Sequence, residues 1–142
     1  SSSVLYSSIP TSAVTGLAVS VVSSTQVSLT WTAQSTPGNG YSSITTYTVE
    51  YKLSSDSTWQ SGNTTASSPA TISGLTTLST YYFRIKSTNA FGTGPTSSDS
   101  SVSATLYGIP NVPAQPTLTQ TSGSTSIVVT WTAPANNGAT IS

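Results

Sequence analysis

The chain has 142 residues with 3 basic and 3 acidic side chains, so it is formally neutral. Charged residues make up only 4% of it, and it contains no Cys, Met or His. A neutral chain offers no basic stripe for phosphates, which argues against nucleic acid and anionic membranes as partners. Without Cys or His it has no disulfides and none of the usual zinc or haem ligands, so no cofactor is expected. No apolar run is long enough for a membrane span.

Ser and Thr dominate the polar composition. In a chain this poor in charge, their hydroxyls must supply most of the surface hydration, and they are attachment points for O-linked sugars. Such a composition could also indicate disorder, but disordered chains lack aromatic and β-branched apolar residues. This chain has 3 Trp and 7 Tyr, with Val and Ile at alternate positions. The pattern favours a folded domain.

The predicted elements are short β-strands with apolar residues at every second position. In chain order, the apolar positions of successive strands are Leu17, Val19 and Val21; Val27, Leu29 and Trp31; Tyr47, Val49 and Tyr51; Ile72 and Leu75; Tyr81, Phe83 and Ile85; and Val102, Ala104 and Leu106. Clusters of Gly, Pro, Asn and Ser separate these strands at intervals of about 8 to 15 residues. No helical periodicity persists beyond a turn or two. We therefore expect an all-β sandwich whose two sheets pack about 10 Å apart.

The sequence also repeats itself. The stretch QVSLTWTA at 26–33 matches SIVVTWTA at 126–133, so Trp31 and Trp131 are 131 − 31 = 100 positions apart. Ile9-Pro10 recurs as Ile109-Pro110 at the same offset. We therefore expect a tandem array that is cut at both ends. Residues 1–9 would be the last strand of a preceding repeat, residues 10–108 a complete unit, and residues 109–142 the N-terminal strands of a following repeat.

The central unit resembles a fibronectin type III domain over residues 10–108. The matching features are an early Pro together with Trp31, Tyr47, Val49, Tyr51, Leu75, Tyr81, Phe83, Ile85, Asn89, Gly92, Gly94 and Pro95. The chain departs from the family at Thr77-Leu78, where Pro-Gly is common. The resemblance implies an immunoglobulin-like sandwich of seven antiparallel strands, with a tyrosine corner in which the Tyr81 hydroxyl is tied to upstream backbone.

Large aromatic side chains are expected to form the core. These are Trp31, Tyr47, Tyr51, Tyr81 and, in the following repeat, Trp131. Four of the charged residues should instead share one outward sheet face, with Glu50 and Lys52 on one strand and Arg84 and Lys86 on its neighbour. Opposite charges across strands are worth roughly 0.2–1 kcal/mol. A solvated charge ladder is thus the simpler interpretation, and a binding patch is the alternative.

No arrangement of residues indicates catalysis. Asp56 and Asp99 are isolated on predicted loops, and no His is available as a general base. The Gly-Asn-Gly and Gly-Thr-Gly turns lack the following helix that phosphate binding needs. The Arg-Gly-Asp loop with which some relatives bind integrins is absent, because the corresponding turn reads NAFGTGP. We predict that the chain is not an enzyme.

Glycosylation is the modification that the sequence suggests. Asn63-Thr64-Thr65 matches the acceptor pattern for N-linked sugars and falls in a predicted loop. Hydroxyls in predicted loops are candidates for O-linked sugars. The full candidate set is Asn63, Thr64, Thr65, Ser67, Ser68, Ser97 and Ser98.

Three functions fit these features. The first is a glycosylated structural repeat of an extracellular or cell-surface rod or filament. The second is a spacer domain of a secreted polysaccharide-degrading enzyme, and the third is an adhesion-receptor ectodomain. Consecutive units with short joints favour the first, because the Pro residues of Ile9-Pro10 and of residues 109–113 should keep those joints extended.

The strand residues Ile127, Val129 and Trp131 are expected to form an assembly face. Two or three strands bury too little apolar surface to be stable alone. Neighbouring copies or a continuation of the same polypeptide would cover this face. The alternative is a loose end held only by crystal packing.

Overall fold

The computed structural model describes residues 6–97 and 102–138, and the chain separates into two compact units, Ser1–Leu106 and Tyr107–Ser142. All regular elements in the described ranges are β-strands. The first unit contains β1 (Thr15–Ser23), β2 (Gln26–Thr32), β3 (Ile44–Leu53), β4 (Gln60–Thr65), β5 (Ala70–Ser73), β6 (Thr80–Asn89), β7 (Gly92–Thr93) and β8 (Ser103–Thr105). The second unit contains β9 (Thr117–Gln120) and β10 (Ile127–Thr130). The part of the chain described has no helix long and apolar enough to cross a membrane.

Two antiparallel sheets form the first unit. One has the order β1-β2-β5, and the other has the order β4-β3-β6-β7, with β8 also paired to β6. β7 and β8 contact different ends of β6, as the pairs Thr88↔Thr93 and Tyr82↔Ser103 show. They occupy the place of the single last strand expected from the sequence. The predicted all-β, immunoglobulin-like antiparallel sandwich is confirmed.

The core lies between the two sheets and follows the two-residue period of the strands. In β6, Tyr81, Phe83 and Ile85 are buried and alternate with half-buried neighbours. The Trp31 ring lies 5.3 Å from the Tyr47 ring, with their planes tilted by 53°. The remaining buried apolar residues are Val14, Val27, Leu29, Val49, Ala70, Ile72, Leu75 and Leu106. Burial of these apolar side chains is the main force that holds the sheets together.

Tyr51 is only half-buried and packs at the border of the core, where its ring lies 5.9 Å from that of Tyr81. Trp31, Tyr47 and Tyr81 are 7%, 3% and 5% exposed. The first unit therefore places all four of its expected core aromatics in or against the core.

The segment that leads into the first unit is bound to that unit's loops. The backbone N–H of Ser8 donates to the Gly40 carbonyl at 2.8 Å, and the side-chain amide of Asn89 donates to the Ser8 carbonyl at 2.7 Å. A Cβ at Gly40 would overlap the carbonyl groups of Ser8 and Ile9, so this approach requires glycine. Residues 6–9 form no strand. The expected last strand of a preceding repeat, at residues 1–9, otherwise lies outside the described residues.

A similar backbone hydrogen bond is donated by the residue 108 − 8 = 100 positions after Ser8. The N–H of Gly108 donates to the Asn137 carbonyl at 2.9 Å, within the second unit. Two residues earlier, the N–H of Leu106 donates to the Ser79 carbonyl at 3.0 Å, within the first unit. Leu106 and Gly108 are therefore each held by a backbone hydrogen bond within their own unit.

The second unit is a hairpin in its described part. β9 and β10 pair antiparallel, for example through Thr119↔Val128, and both strands are exposed along their whole length. Trp131, which the sequence predicts to be a core residue of the following repeat, is 67% exposed in the described chain. The described residues of this unit form no opposing sheet that could cover the ring. Its burial by further protein therefore stays a prediction.

Candidate functional site

The outward face of β4, β3 and β6 gathers charged side chains, as the sequence predicted. Glu50 in β3 lies directly opposite Arg84 in β6, and Lys52 lies opposite Tyr82. Residues opposite one another on antiparallel strands project from the same face of the sheet. Lys86 is two residues beyond Arg84 and therefore shares that face. The three Lys and Arg residues of the whole chain thus project from a single surface.

Glu50 lies beneath two of these cations. Arg84 Nε donates to Glu50 Oε2 at 2.6 Å, and Lys86 Nζ donates to Glu50 Oε1 at 2.6 Å. Only 12% of the Glu50 side chain is exposed. Burial alone would raise its pKa, but hydrogen bonds from Lys86 and Arg84, together with their charges, outweigh that effect and lower the pKa. The carboxylate is therefore ionised at neutral pH and engaged by both cations.

Trp59, just before β4, is the centre of a second group of contacts on this face. The guanidinium carbon of Arg84 lies 4.3 Å from the Trp59 ring centroid, and Lys52 Nζ lies 5.2 Å from it. Lys52 Nζ also lies 5.9 Å from the Tyr82 ring centroid. These distances are typical of cation–π interactions. We call the set Trp59, Lys52, Tyr82 and Arg84 the aromatic–cationic cluster.

The sequence pattern does not identify Trp59 as a functional residue. The available signal was a large aromatic residue in a polar stretch, outside the alternating pattern of the core strands. Its contacts depend on two strand registers, that of β4 with β3 and that of β3 with β6. Strand register determines which side chains contact one another. The amino-acid composition around Trp59 does not predict that register.

The chemistry available on this face is binding rather than proton transfer. A general base must be free to accept a proton near neutral pH, whereas Glu50 has a lowered pKa and two cationic partners. No group of three or more metal-ligating side chains occurs among residues 6–97 and 102–138. The cations and aromatic rings can instead contact an anionic partner at the surface.

Asn63, the predicted N-glycosylation site, lies in β4 and not in a loop. It pairs directly opposite the buried Val49, so it projects toward the interior side of the sheet. Its Nδ2 donates to the Thr71 carbonyl of β5 at 3.1 Å. The loop prediction is wrong because Thr64 and Thr65 are β-branched and extend the strand by pairing with β3. The amide therefore links the neighbouring edges of the two sheets.

The O-glycosylation candidates differ in accessibility. Thr64 and Ser67 are exposed, whereas Thr65 is half-buried and its hydroxyl donates to the Ser67 carbonyl at 3.1 Å. Ser68 is half-buried, and its hydroxyl accepts a hydrogen bond from the backbone N–H of Trp31 at 3.2 Å. Accessible hydroxyls in this group are thus those of Thr64 and Ser67.

Ser97 differs from its predicted position on an open loop. It is 6% exposed, and its hydroxyl accepts a hydrogen bond from the Ile85 N–H at 2.9 Å. Its own N–H donates to the Ile85 carbonyl at 2.8 Å. Pairing with β6 draws this segment against the sheet, so Ser97 is a structural residue. Ser98 and Asp99 lie outside the described residues.

The expected assembly face lies on β10 and the residue that follows it. Ile127, Val129 and Trp131 are 58%, 48% and 67% exposed. Val128, between the first two, is 61% exposed on the opposite face of the strand. Both faces of this hairpin are therefore open in the described chain.

Comparison with known proteins gives matches along most of the chain. Tyrosine-protein phosphatase Lar of Drosophila melanogaster is 31% identical over 126 residues, which is 87% of this chain and 6% of Lar. The chain thus spans a small part of that relative's length. The crystal structure of titin domains A168–A170 superposes with a TM-score of 0.62 at 28% identity, covering 69% of this chain and 32% of that chain. Titin module A71 from human cardiac muscle gives a TM-score of 0.57 at 27% identity, covering 63% of this chain and 88% of the module.

The family model of the fibronectin type III domain matches residues 12–103, which include every strand of the first unit up to the start of β8. The matched residues fold as an antiparallel sandwich onto which titin domains superpose. The chain belongs to the fibronectin type III family.

Proposed function

We propose that this chain is a non-enzymatic structural repeat of an extracellular or cell-surface rod or filament made of tandem fibronectin type III units. A contrast in exposure between residues of β2 and the corresponding residues in and directly after β10 carries the proposal. Leu29 and Trp31 are 0% and 7% exposed, whereas Val129 and Trp131, each 100 positions later, are 48% and 67% exposed. The same pattern that builds a core in the first unit is thus uncovered in the second.

The first unit indicates what would cover the second. Val27 and Leu29 are buried beneath the sheet that contributes Val49 of β3 and Phe83 of β6. A contiguous exposed apolar patch marks a surface that associates with other protein. An equivalent sheet, from a neighbouring copy or from more of the same polypeptide, would bury Trp131 in the same way. The proposed partners are therefore units of the same kind.

Composition supports the extracellular setting. Only 4% of residues are charged, so hydroxyl groups carry most of the surface polarity. Sugars on accessible hydroxyls such as those of Thr64 and Ser67 would increase hydration of a chain with no net charge. Glycans are thus proposed as covalent attachments to the array.

A second candidate function is an adhesion-receptor ectodomain. The match to Lar favours it, because there the matched stretch is 6% of a protein named as a tyrosine phosphatase. A unit of this family can therefore be a minor part of a long chain whose named activity lies elsewhere.

Electron microscopy of the native polypeptide, purified from its source, tests the array. We expect a beaded rod of similar globules on the outside of the cell or in the secreted material. Peptide mapping of the same sample distinguishes the candidates, since an ectodomain would be joined to a membrane span. A compact particle without repeated globules contradicts the array.

Analytical sedimentation of the 142-residue chain tests whether a second copy covers the face formed by Ile127, Val129 and Trp131. We expect concentration-dependent association that Trp131→Ser abolishes. The matched control is Val128→Ser, on the opposite face of the same strand, which should leave association unchanged. A chain that stays monomeric, or equal losses in both variants, contradicts cover by a second copy.

A further inference from the structure

The β4 strand presents a free edge. It is the outermost strand of its sheet and pairs with β3 on one side, and no strand in the described ranges pairs with its other side. Edge strands expose unpaired N–H and C=O groups, which proteins usually protect with charges, Pro or bulges. The sequence of β4, QSGNTT, has neither charge nor Pro. Its pairing with β3 is irregular at Gly62, between the pairs Val49↔Asn63 and Glu50↔Ser61. Strand β5 of the other sheet lies close by, and the Asn63 side chain donates to the Thr71 carbonyl of β5 at 3.1 Å.

Two cationic side chains contact Trp59 at one end of this edge. Lys52 arises from the neighbouring strand β3 and Arg84 from β6, one strand further away. Both reach the ring of Trp59, which immediately precedes β4, at 5.2 Å and 4.3 Å from its centroid. The ring therefore holds positive charge from two inner strands beside the open backbone of the outermost strand.

Among the described residues, Glu50 is the carboxylate that contacts the cations of this face. Glu50 is already bonded to Arg84 and Lys86, and it is 12% exposed beneath them. No carboxylate among the described residues forms an ion pair with Lys52, whose contacts are the Trp59 and Tyr82 rings. The edge of β4 is thus a backbone hydrogen-bonding surface beside the Lys52 ammonium group, whose contacts in the described residues are aromatic rings.

We propose that the β4 edge binds an extended acidic peptide segment of a partner protein by strand addition. Backbone groups of the segment would form hydrogen bonds with β4. These bonds supply affinity that does not depend on the sequence of the segment. Neighbouring strands lie about 4.7–4.9 Å apart, so outward-facing side chains of the added strand near Gln60 would lie close to Trp59. Carboxylates at those positions would meet Lys52, and charge complementarity would select acidic segments.

Charge also argues against a second copy as the occupant. The β4 strand of another copy brings no acidic residue and carries the same cluster of cations beside it. Like charges at a shared edge disfavour association. The residues of this site are different from those of the β10 face, so this proposal does not depend on the proposed array.

The test is an NMR titration of the 142-residue chain with an eight-residue peptide of alternating Glu and Val. The control peptide has Gln in place of Glu. We expect chemical-shift changes and slower amide exchange in residues 60–65, with affinity that falls as salt is raised. The Gln peptide should bind at least about fivefold more weakly.

Two variants of equal charge change locate the contact. Lys52→Gln should weaken binding of the Glu peptide by about fivefold, whereas Lys86→Gln, which removes a cation away from Trp59, should change it less than about twofold. The amide spectrum of each variant checks that the fold is retained.

Four outcomes would overturn the proposal. Equal weakening in both variants indicates attraction to net charge alone. Binding without protection of residues 60–65 excludes strand addition. Tighter binding of a sulfated polysaccharide, with heparin as the probe, would assign the cluster to glycans. Protection of residues 60–65 that rises with protein concentration in the absence of peptide would assign the edge to a second copy.

Discussion

The hydroxyl of Tyr81 accepts a hydrogen bond from the backbone N–H of Thr76, five residues upstream, at 3.0 Å. This is the tyrosine corner that the family resemblance implied. Tyr81 is 5% exposed, so the hydroxyl and its donor lie where water has little access. The bond fixes the turn between β5 and β6 against the core.

Removing that hydroxyl should destabilise the first unit. Tyr81→Phe leaves the N–H of Thr76 without its partner, which costs about 1–3 kcal/mol of unfolding free energy. Urea unfolding measures the change. Tyr82→Phe, on the outward face of the same strand, is the matched control and should change stability by less than about 0.5 kcal/mol. Equal effects would show that the corner contributes nothing specific.

The same turn contains the residue at which the chain departs from its family. Leu78 adopts a positive φ of 61°, a conformation that costs a non-glycine residue roughly 1–2 kcal/mol. Its side chain is 58% exposed, so little packing is lost on truncation. Leu78→Gly should therefore stabilise the unit by up to about 1 kcal/mol in thermal or urea unfolding. Leu78→Ala keeps the strained backbone and should not stabilise; if it does so as much as Leu78→Gly, strain is not the cause.

The two Trp residues at equivalent repeat positions should differ in stability effects. Trp31→Ala removes a buried ring that packs on Tyr47 and should cost about 3–5 kcal/mol. Trp131→Ala removes an exposed ring and should change the unfolding of the first unit by less than about 0.5 kcal/mol. Denaturant unfolding of the dilute chain compares them. A large loss in Trp131→Ala would contradict the exposed position.

Stability should decrease in acid through Glu50. Its folded pKa lies below the ordinary value of a Glu carboxyl group, so the unfolded chain binds the proton more readily. The stabilisation from its ion pairs is therefore complete above the unfolded pKa and is lost as the pH falls through the folded pKa. Glu50→Gln should flatten the pH dependence of unfolding between neutral pH and about pH 3. A Glu50→Gln slope equal to that of the wild type would contradict the prediction.

Asn63 should contribute to stability through its side chain. Asn63→Ala removes the donor to the Thr71 carbonyl and should cost about 1 kcal/mol. Thr64→Ala, outward on the same strand, should cost less than about 0.5 kcal/mol. Chemical unfolding of chain made in bacteria, which carries no N-linked sugar, isolates this effect. An Asn63→Ala variant as stable as the wild type would show that the amide is not a structural link.

The sequence predicted the parts of the fold that follow from apolar alternation. Trp31 and Phe83 stand on strands whose two-residue period is unbroken, so their burial could be expected. The strand β4 has no such period, because its residues are small and polar on both faces. A turn and an edge strand have similar sequences in such a stretch, so the sequence alone predicts a loop at Asn63.

Features that depend on partner strands were harder to predict. The contacts of Trp59 require the register of three strands, since Arg84 reaches it from β6. Ser97 lies against Ile85 through backbone pairing that its own neighbours do not encode. Trp131 has the sequence context of a core residue, but burial requires an opposing sheet in addition to the strand itself.

The border between the two units has a consequence for proteolysis. Leu106 is bonded to Ser79 on one side and Gly108 to Asn137 on the other, so a single residue, Tyr107, lies between these bonds. Proteases cut where backbone is exposed and easily freed from its hydrogen bonds. A border this short offers them almost no slack chain while both sides stay folded. Cleavage at Tyr107 would then require local unfolding of the segments that the hydrogen bonds of Leu106 and Gly108 hold in place.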